Sequence, residues 1–503
     1  MFAKLRLAAK GTAAVAGATA SIFVVDHLRI CRNLHDKREV VKPNGQSVVV
    51  LGGGIVGVAS AARLAQAGFR VTLLERSDTA GLGASNVNAG GNRPSTYSPI
   101  VEPSTLWKLI RTWSREQATQ CDYLRAFLDV DFWRWAVRFL IMVLSARTEG
   151  TPQGDFLLHH GRAFVDAMYE LAKDEGLQPP LRHTECLNVY VCDGLLPKKF
   201  ESGRRKAARA NARGYGTLFE VVHHDEVLQL EPSLKSLAER GRLRGGLRCP
   251  QDESGHSGEF ARSLAARIAE LHGVELRYGS EVTKLVLDAS GEKLQSVRTA
   301  TGENISADFF VMSMGSASQP LLRQIGIYLP LYPVKGYSLT FPSDALSGLE
   351  LQMEMLCFPQ LGTYVTQFRD ADESHRIRFI SVLEWAGWDD DLKRPASVEA
   401  LRGKVKEIYP QISEAAFQRA EVGVGSRPWT VDDLPIVSGT YCKNLYINTG
   451  HGHYGFRMSA ATADQLLCLM TGREPPLEQE LLSLTRFRSL WRQEFAHGSP
   501  CKT

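Results

Sequence analysis

Residues 47–75 read SVVVLGGGIVGVASAARLAQAGFRVTLLE, and this stretch decides the fold. Ser47 to Leu51 is a short β-branched run, the pattern of a buried strand. It enters Gly52-Gly53-Gly54-Ile55-Val56-Gly57, a Gly-x-Gly-x-x-Gly turn. Val58 to Ala67 is an alanine-rich helix stopped by Gly68, and Arg70 to Leu74 is a second strand ending on Glu75. Strand, turn, helix, strand and an acid about 20 residues on make a complete βαβ unit for a dinucleotide. Gly52 permits the tight turn, Gly54 lets backbone approach a pyrophosphate, and Gly57 lets helix and strand pack closely. The helix start, with Ile55 and Val56, offers free N–H groups and a positive dipole end to the phosphates. Glu75 can accept hydrogen bonds from ribose hydroxyls, with Arg76 beside it. The turn alone does not choose between FAD and NAD, but no second such unit is visible, which disfavours a nicotinamide-linked enzyme.

The chain has 503 residues, 44% hydrophobic and 23% charged, ordinary fractions for a soluble globular protein. At that length two lobes are expected rather than one core. The net charge of +4 comes largely from the N-terminus, and no Lys/Arg block is interleaved with aromatics, so nucleic acid is not the expected partner. Nine scattered cysteines without a CxxC pair indicate neither a metal site nor a disulfide framework. Residues 1–46 differ from the rest. Lys4, Arg6 and Lys10 stand in an acid-free start, followed by an Ala/Gly/Thr/Val-rich run from Gly11 to Val25 that is shorter than the ~20 apolar residues of a membrane span. This composition suits a mitochondrial leader, with a membrane-anchoring role open to it; a signal peptide, signal anchor or disordered tail are the alternatives.

Further along, Asp131 to Leu144 is an apolar, aromatic helix read as core, with a place on a membrane surface as the alternative. Gly154 to Glu175 reads as one amphipathic helix, Thr184 to Cys192 as a strand and Glu201 to Ala212 as a basic helix. Glu259 to His272 is a helix, with strands at 274–278, 281–287, 309–314 and 444–448. Gly450 to Gly455 is a second glycine-rich turn, and Met458 to Met470 its helix.

Five ordered segments resemble the bacterial D-amino acid dehydrogenase (small subunit) family, within the D-amino acid oxidase, glycine oxidase and sarcosine oxidase group. Ser85 to Gly90 is similar to its Ser-x-x-Asn-Ala-Gly loop under the flavin. Gly245-Gly246-Leu247 with Pro250, Asp252, Glu253 and Gly255 resembles its GGL-x-x-P-x-DE-x-G segment. Tyr332 to Thr340 resembles YP-x-KGYSLT, Gly425 to Thr430 resembles G-x-RP-x-T, and Lys443 to Gly452 resembles KNLW-x-NTGHG. The likeness runs from about Ser47 to about Arg473. Two departures stand out: Val431-Asp432-Asp433-Leu434-Pro435 replaces Pro-Asp-Gly-x-Pro, and His453-Tyr454 stands where many relatives carry smaller residues.

The resemblance implies an α/β fold. A Rossmann-type, glutathione-reductase-like FAD-binding domain (47–150, 238–330 and 422–503) interleaves with an α+β substrate domain on a mixed antiparallel sheet (151–237 and 331–421). It implies FAD as cofactor, an amino acid as substrate, and a quinone-type electron acceptor. An O2-using oxidase of glycine, sarcosine or another secondary amine is the rival, and a flavin-stabilised respiratory-complex assembly factor is the reading from another class. Ser85, Asn88, Ala89 and Gly90 are expected along the flavin, Val282 at the adenine, and Gly315 beside the nucleotide. Gly450, His451, Gly452 and Gly455 are expected where reduced flavin gathers charge. Arg427 is the candidate carboxylate clamp, because a guanidinium grips a carboxylate bidentately; a structural salt bridge is its alternative. Tyr337 could donate to the same carboxylate, His453 is a titratable candidate in the substrate site, and Glu384 is read first as a structural ion pair.

Overall fold

The computed structural model describes residues 31, 33–97, 128–145, 151–179, 181–191, 199–346, 348–369, 375–385, 387–388 and 393–488. Most of the leader, with Cys121, Cys192 and Cys501, lies outside the described residues.

Two large sheets organise the chain. The first has six strands: β1 (Ser47–Leu51), β2 (Arg70–Leu74), β8 (Glu275–Arg277), β12 (Phe309–Met312), β18 (Ile436–Gly439) and β19 (Leu445–Thr449). Their order is β18-β19-β12-β1-β2-β8, parallel except for the β18–β19 pair. Strand β1 lies between β12 and β2, which is why Val48 to Leu51 are apolar on both faces. The second sheet has eight strands, in the order β17-β13-β16-β15-β14-β4-β6-β5. They are β4 (Cys186–Val191), β5 (Glu220–Val222), β6 (Leu243–Cys249), β13 (Leu331–Pro342), β14 (Met355–Phe358), β15 (Thr363–Arg369), β16 (His375–Glu384) and β17 (Glu421–Thr430). All their pairs are antiparallel except β4–β14. A three-stranded meander of β9 (Val282–Leu287), β10 (Leu294–Thr299) and β11 (Asn304–Ile305), and a small pair of β3 (Gly91–Asn92) with β7 (Glu253–Ser254), complete the sheets.

The architecture is the expected α/β one, with corrections at its boundaries. Segments 243–249 and 422–430, assigned from sequence to the nucleotide lobe, belong to the eight-stranded sheet. Strand β17 pairs with β13 from Leu331↔Thr430 to Thr340↔Glu421, and β6 pairs with both β4 and β5. These are pairings between distant segments, which local composition does not carry. The single helix read over 154–175 is two helices, Pro152–His159 and Gly161–Asp174, broken at His160. The basic helix is present at Lys199–Asn211.

Helix α1 (Ile55–Gln66) packs on the six-stranded sheet beside α3 (Ser257–His272) and α4 (Gly455–Thr471). The intervening α2 (Val130–Ser145) carries the aromatic stripe. Trp135, Phe139 and Val143 enter the core on the other face of that sheet, so the core reading holds for that side of the helix. Its opposite side leaves Trp133, Leu140 and Leu144 exposed. Among the described residues no helix is long and apolar enough to cross a membrane.

Where α1 crosses β1 the approach is tight: a Cβ on Gly57 would stand 1.9 Å from the Gly52 carbonyl oxygen. Gly57→Ala therefore has to push the helix off the sheet. The expected result is a loss of about 1–3 kcal/mol, the scale of core overpacking, read as a lowered urea midpoint against wild type. An unchanged midpoint would show that the crossing is loose.

Candidate active site

One cavity of about 480 Å³ runs from the β1 turn to the inner face of the eight-stranded sheet. At its first end the chain leaves β1 through Gly52, whose φ is +103°; a Cβ there would meet the Ser313 carbonyl oxygen at 2.7 Å. Gly54 precedes α1 without a side-chain cap. The N–H groups of the first turn therefore lack intrahelical acceptors. Ser85 Oγ accepts the one from Ile55 at 3.1 Å, and Val56 stands at the cavity wall. Glu75 takes the N–H groups of Gly53 at 2.7 Å and Ser77 at 2.9 Å. A carboxylate has about four lone-pair sites, so Glu75 keeps capacity for ribose hydroxyls. Open helix N–H groups, glycine backbone and an acid at the strand end fit a dinucleotide on residues of this structure.

The next wall is the loop from Ser85 to Gly90. Asn88 shapes it from within: its Nδ2 donates to Ser85 O at 3.2 Å and its Oδ1 accepts from Gly90 N at 2.8 Å. Gly90 has φ +68°, and a Cβ there would come within 2.2 Å of Gly255 O. The eight-stranded sheet holds this loop from below. Arg378 Nη1 donates to Asn86 O at 2.6 Å and Asn88 O at 3.1 Å, and Thr366 Oγ1 donates to Ala89 O at 2.9 Å. Neither Arg378 nor Thr366 was singled out from sequence, because nothing local marks a strand residue that grips a loop almost 300 positions earlier.

Of the residues expected to bind cofactor, Gly52, Gly54, Ile55, Val56, Glu75, Arg76, Ser85, Asn88, Ala89, Gly90, Val282, Gly315, His451, Gly452 and Gly455 all line this cavity. Two do not reach it. Gly57 serves the helix crossing. Gly450, with φ +80°, packs against Thr430, where a Cβ would meet Cγ2 at 2.8 Å, so it is a turn and packing residue rather than a ligand.

At the far end stands Arg427, on β17. On β13, Gly336, two residues along from its cross-strand partner Val334, makes room for it: a Cβ there would lie 2.4 Å from Nη1. That nitrogen is buried without an acceptor, and among the described residues Arg427 has no ion pair. Burial holds the guanidinium below its ordinary pKa range, with Tyr364 partly offsetting the shift. Tyr364 lines the same space and also escaped the sequence reading. A buried cation without a carboxylate is costly unless an anion arrives. The salt-bridge alternative for Arg427 thus has no partner among the described residues.

Tyr337 is corrected. Side chains alternate along β13, and because Gly336 faces Arg427, Tyr337 faces the opposite side. Its hydroxyl donates to Glu384 at 2.8 Å, and burial followed by that contact pushes its pKa up to about 12. Glu384 also accepts from Ser397 at 2.6 Å and pairs with Arg394 at 2.9 Å, the structural ion pair expected of it. Asp433 explains the departure after Thr430: it adopts φ +65°, the left-handed conformation that favours the glycine of the family pattern. Asp432 pairs with Arg486 at 2.7 Å.

His451 and His453 both line the cavity and are both held neutral. Burial alone pushes His451 down to about 3, while its Nε2 lies 3.0 Å from Thr462 Oγ1. His453 is pushed to about 3 by burial and by the charges of Arg427 and Arg457. A general base works best with a pKa near the operating pH. His453 is therefore a poor proton acceptor, and what it offers the site is a neutral ring 3.7 Å from Asp433.

The comparisons agree with this geometry. Residues 47–469 match the model of the family described as FAD dependent oxidoreductase. The chain is 34% identical over 441 residues to a D-amino acid dehydrogenase of Methylobacterium nodulans, covering 88% of this chain and 99% of that one. It is 32% identical over 451 residues to the D-amino acid dehydrogenase of Paramagnetospirillum magneticum, with coverage of 88% and 100%. Among solved structures it is similar to glycine oxidase from Geobacillus kaustophilus, with a TM-score of 0.63, 20% identity, and coverage of 88% and 99%.

His451 should write itself into the stability curve. Its folded pKa lies below the ordinary value of 6.5, so the unfolded chain takes up a proton first as pH falls. Stability from the neutral ring is complete above about pH 6.5 and is lost progressively as pH drops toward 3. Between pH 7 and pH 5 the loss is about 2 kcal/mol. In His451→Gln the change in unfolding free energy over that interval should shrink by that amount; equal slopes in both proteins would show that the ring titrates normally.

Proposed function

Because the chain belongs to the FAD dependent oxidoreductase family, we propose that it oxidises an amino acid of D configuration and passes the electrons to a quinone-type carrier. The observation that carries the reading is Arg427, whose Nη1 is buried without an acceptor and which has no ion pair among the described residues, at the end of a cavity that begins on a dinucleotide turn. FAD fits the residues present: the β1 turn and α1 would hold its pyrophosphate, Glu75 its ribose, and the Ser85–Gly90 loop and the turn before α4 its ring end. Bound there, FAD would supply the hydride-accepting chemistry for oxidation at the substrate Cα, with an imine and then a 2-oxo acid and ammonia as products.

The chain's own task is positioning. Arg427 draws the carboxylate to the sheet end of the cavity, in a fork that keeps its charge at any working pH. Met355, Tyr364 and Trp429 line the cavity with it. No carboxylate of a described residue lines it, so nothing there competes for Arg427. The relatives named D-amino acid dehydrogenase support the D-amino acid and an acceptor other than O2. The exposed Trp133, Leu140 and Leu144 on α2 suit a peripheral contact with a membrane that holds a quinone. For the leader we propose mitochondrial import, supported by its basic, acid-free start. A reporter fused behind Met1–Gln46 should reach mitochondria; retention in the cytosol or secretion excludes that route.

Arg427→Lys tests the clamp. The charge stays and the fork is lost, so the carboxylate should bind about 2–3 kcal/mol more weakly. Anaerobic titration of the holoenzyme with a D-amino acid and with its decarboxylated amine separates the outcomes. A defect confined to the acid supports the clamp. An equal defect with both substrates means a damaged cavity, and no defect with either means that Arg427 does not touch substrate; both sink the reading.

A further inference from the structure

Three thiols meet on one face of the eight-stranded sheet, behind the cavity wall. Cys186 of β4 is the cross-strand partner of Cys249 on β6, and Cys357 of β14 is opposite Asn188, two residues along β4 from Cys186. All three are free and buried. Their sulfurs are not equivalent. Cys249 Sγ is turned to Asn188 Nδ2 at 3.1 Å. Cys186 Sγ and Cys357 Sγ are 3.5 Å apart. Cys357 Sγ also faces Arg93 Nη1 at 2.8 Å, and Arg93 lines the cavity.

That environment separates a nucleophile from its resolving partner. A thiolate is the reactive form, and donors aimed at it favour it. Cys357 has the guanidinium N–H of Arg93 on one side and the Cys186 thiol on the other. Burial raises all three thiols, but at Cys357 the hydrogen bond from Cys186 and the charge of Arg93 together outweigh it, and its pKa is lowered. Cys186 and Cys249 are raised, chiefly by burial. Access is short. Tyr364, directly opposite Cys357 on β15, and Met355, two residues before it on β14, both line the cavity together with Arg93. Cys357 thus lies directly beside residues that line the cavity.

We propose that Cys357 is a peroxide-reactive thiol beside the active site and that Cys186 resolves it. The Cys357 thiolate attacks hydrogen peroxide; an S–O bond forms, the O–O bond breaks, and hydroxide leaves, giving a sulfenic acid. Cys186 sulfur then attacks Cys357 sulfur, the S–O bond breaks, and water departs with the Cys186 proton. Two thiols are oxidised to one disulfide and one peroxide is reduced. The sulfurs must close from 3.5 Å to about 2.05 Å, the length of a disulfide bond. The bond ties β4 to β14 and puts a neutral disulfide sulfur where the thiolate faced Arg93, so its formation reaches the cavity wall. The inference rests on this chemistry of the thiols and not on the identity of the substrate.

The experiment uses the folded holoenzyme, treated with hydrogen peroxide in the absence of substrate and mapped by mass spectrometry after blocking of free thiols. The expected result is a Cys186–Cys357 linked peptide that dithiothreitol reverses. In Cys186→Ser the linked peptide disappears, and a dimedone adduct appears on Cys357. In Cys357→Ser neither product forms. Three results would overturn the proposal: no loss of these thiols at peroxide concentrations that oxidise free glutathione, a Cys186–Cys249 linkage in place of the expected one, or dimedone on Cys186 in Cys357→Ser. Flavin absorbance in each sample confirms that the chain is folded, so a misfolded variant is not scored.

Discussion

Everything in this molecule depends on how closely α1 lies against the first turn of the six-stranded sheet. Gly57 sits so near Gly52 O that no side chain fits between them, and Gly52 itself lies against the Ser313 carbonyl at the end of β12. Three backbone segments therefore meet with no side chains separating them: the β1 turn, the helix start and the end of β12. The result is a backbone floor, rich in N–H groups, at the carboxyl ends of the parallel strands. That is where an open parallel sheet offers a crevice for a ligand. The apolar bulk of Val48 to Leu51 and the alanine face of α1 are what hold the contact shut.

The second sheet is joined to that floor through polar contacts as well as apolar packing. Arg378 is buried in β16 and divides its fork between Thr340 and the carbonyls of Asn86 and Asn88. Its cationic carbon lies 4.9 Å from the ring of Phe368, which itself packs against Gly90. The loop carrying Ser85 and Asn88 is thus shaped by its own amide and fastened by the substrate sheet. The two ends of the cavity cannot move independently without breaking buried hydrogen bonds to a charged group, each worth about 1.5–3 kcal/mol. On the other flank, Trp135 of α2 donates its indole N–H to Trp429 O at 2.9 Å, two residues beyond Arg427.

What was legible in the sequence was local in origin. The glycine turn, α1 and Glu75 announce themselves within thirty residues, because a pyrophosphate site needs small residues at fixed offsets in one continuous segment. Arg427 and the Ser85–Gly90 loop were reached through resemblance, and both stand at the cavity. Tyr337 was misread because a strand shows which residues alternate but not which parity faces the site; Gly336 decides that, and its meaning appears only with Arg427 above it. The allocation of 243–249 and 422–430 to the wrong lobe has the same root, since both pairings are long-range. Asp433 shows the converse. The family's glycine after Thr430 is replaced by Asp433, yet the backbone keeps the left-handed conformation and an aspartate bears its cost.

The electrostatics of the far end follow from what surrounds Arg427. A guanidinium at that depth is usually matched by a carboxylate, as Arg93 is by Asp252 at 2.7 Å and Arg486 by Asp432. Arg427 is instead surrounded by neutral groups: the phenol of Tyr364, the imidazole of His453 and the glycine backbone of residue 336. The charge of Arg427 is itself one of the causes that keep His453 unprotonated. A protonated histidine there would add a further cation beside Arg427 and Arg457. On the proposed function, the site selects by charge before it selects by shape. An anion gains from a fork that little water reaches, an ammonium group without a carboxylate gains nothing, and the choice does not change across the pH range in which both histidines stay neutral.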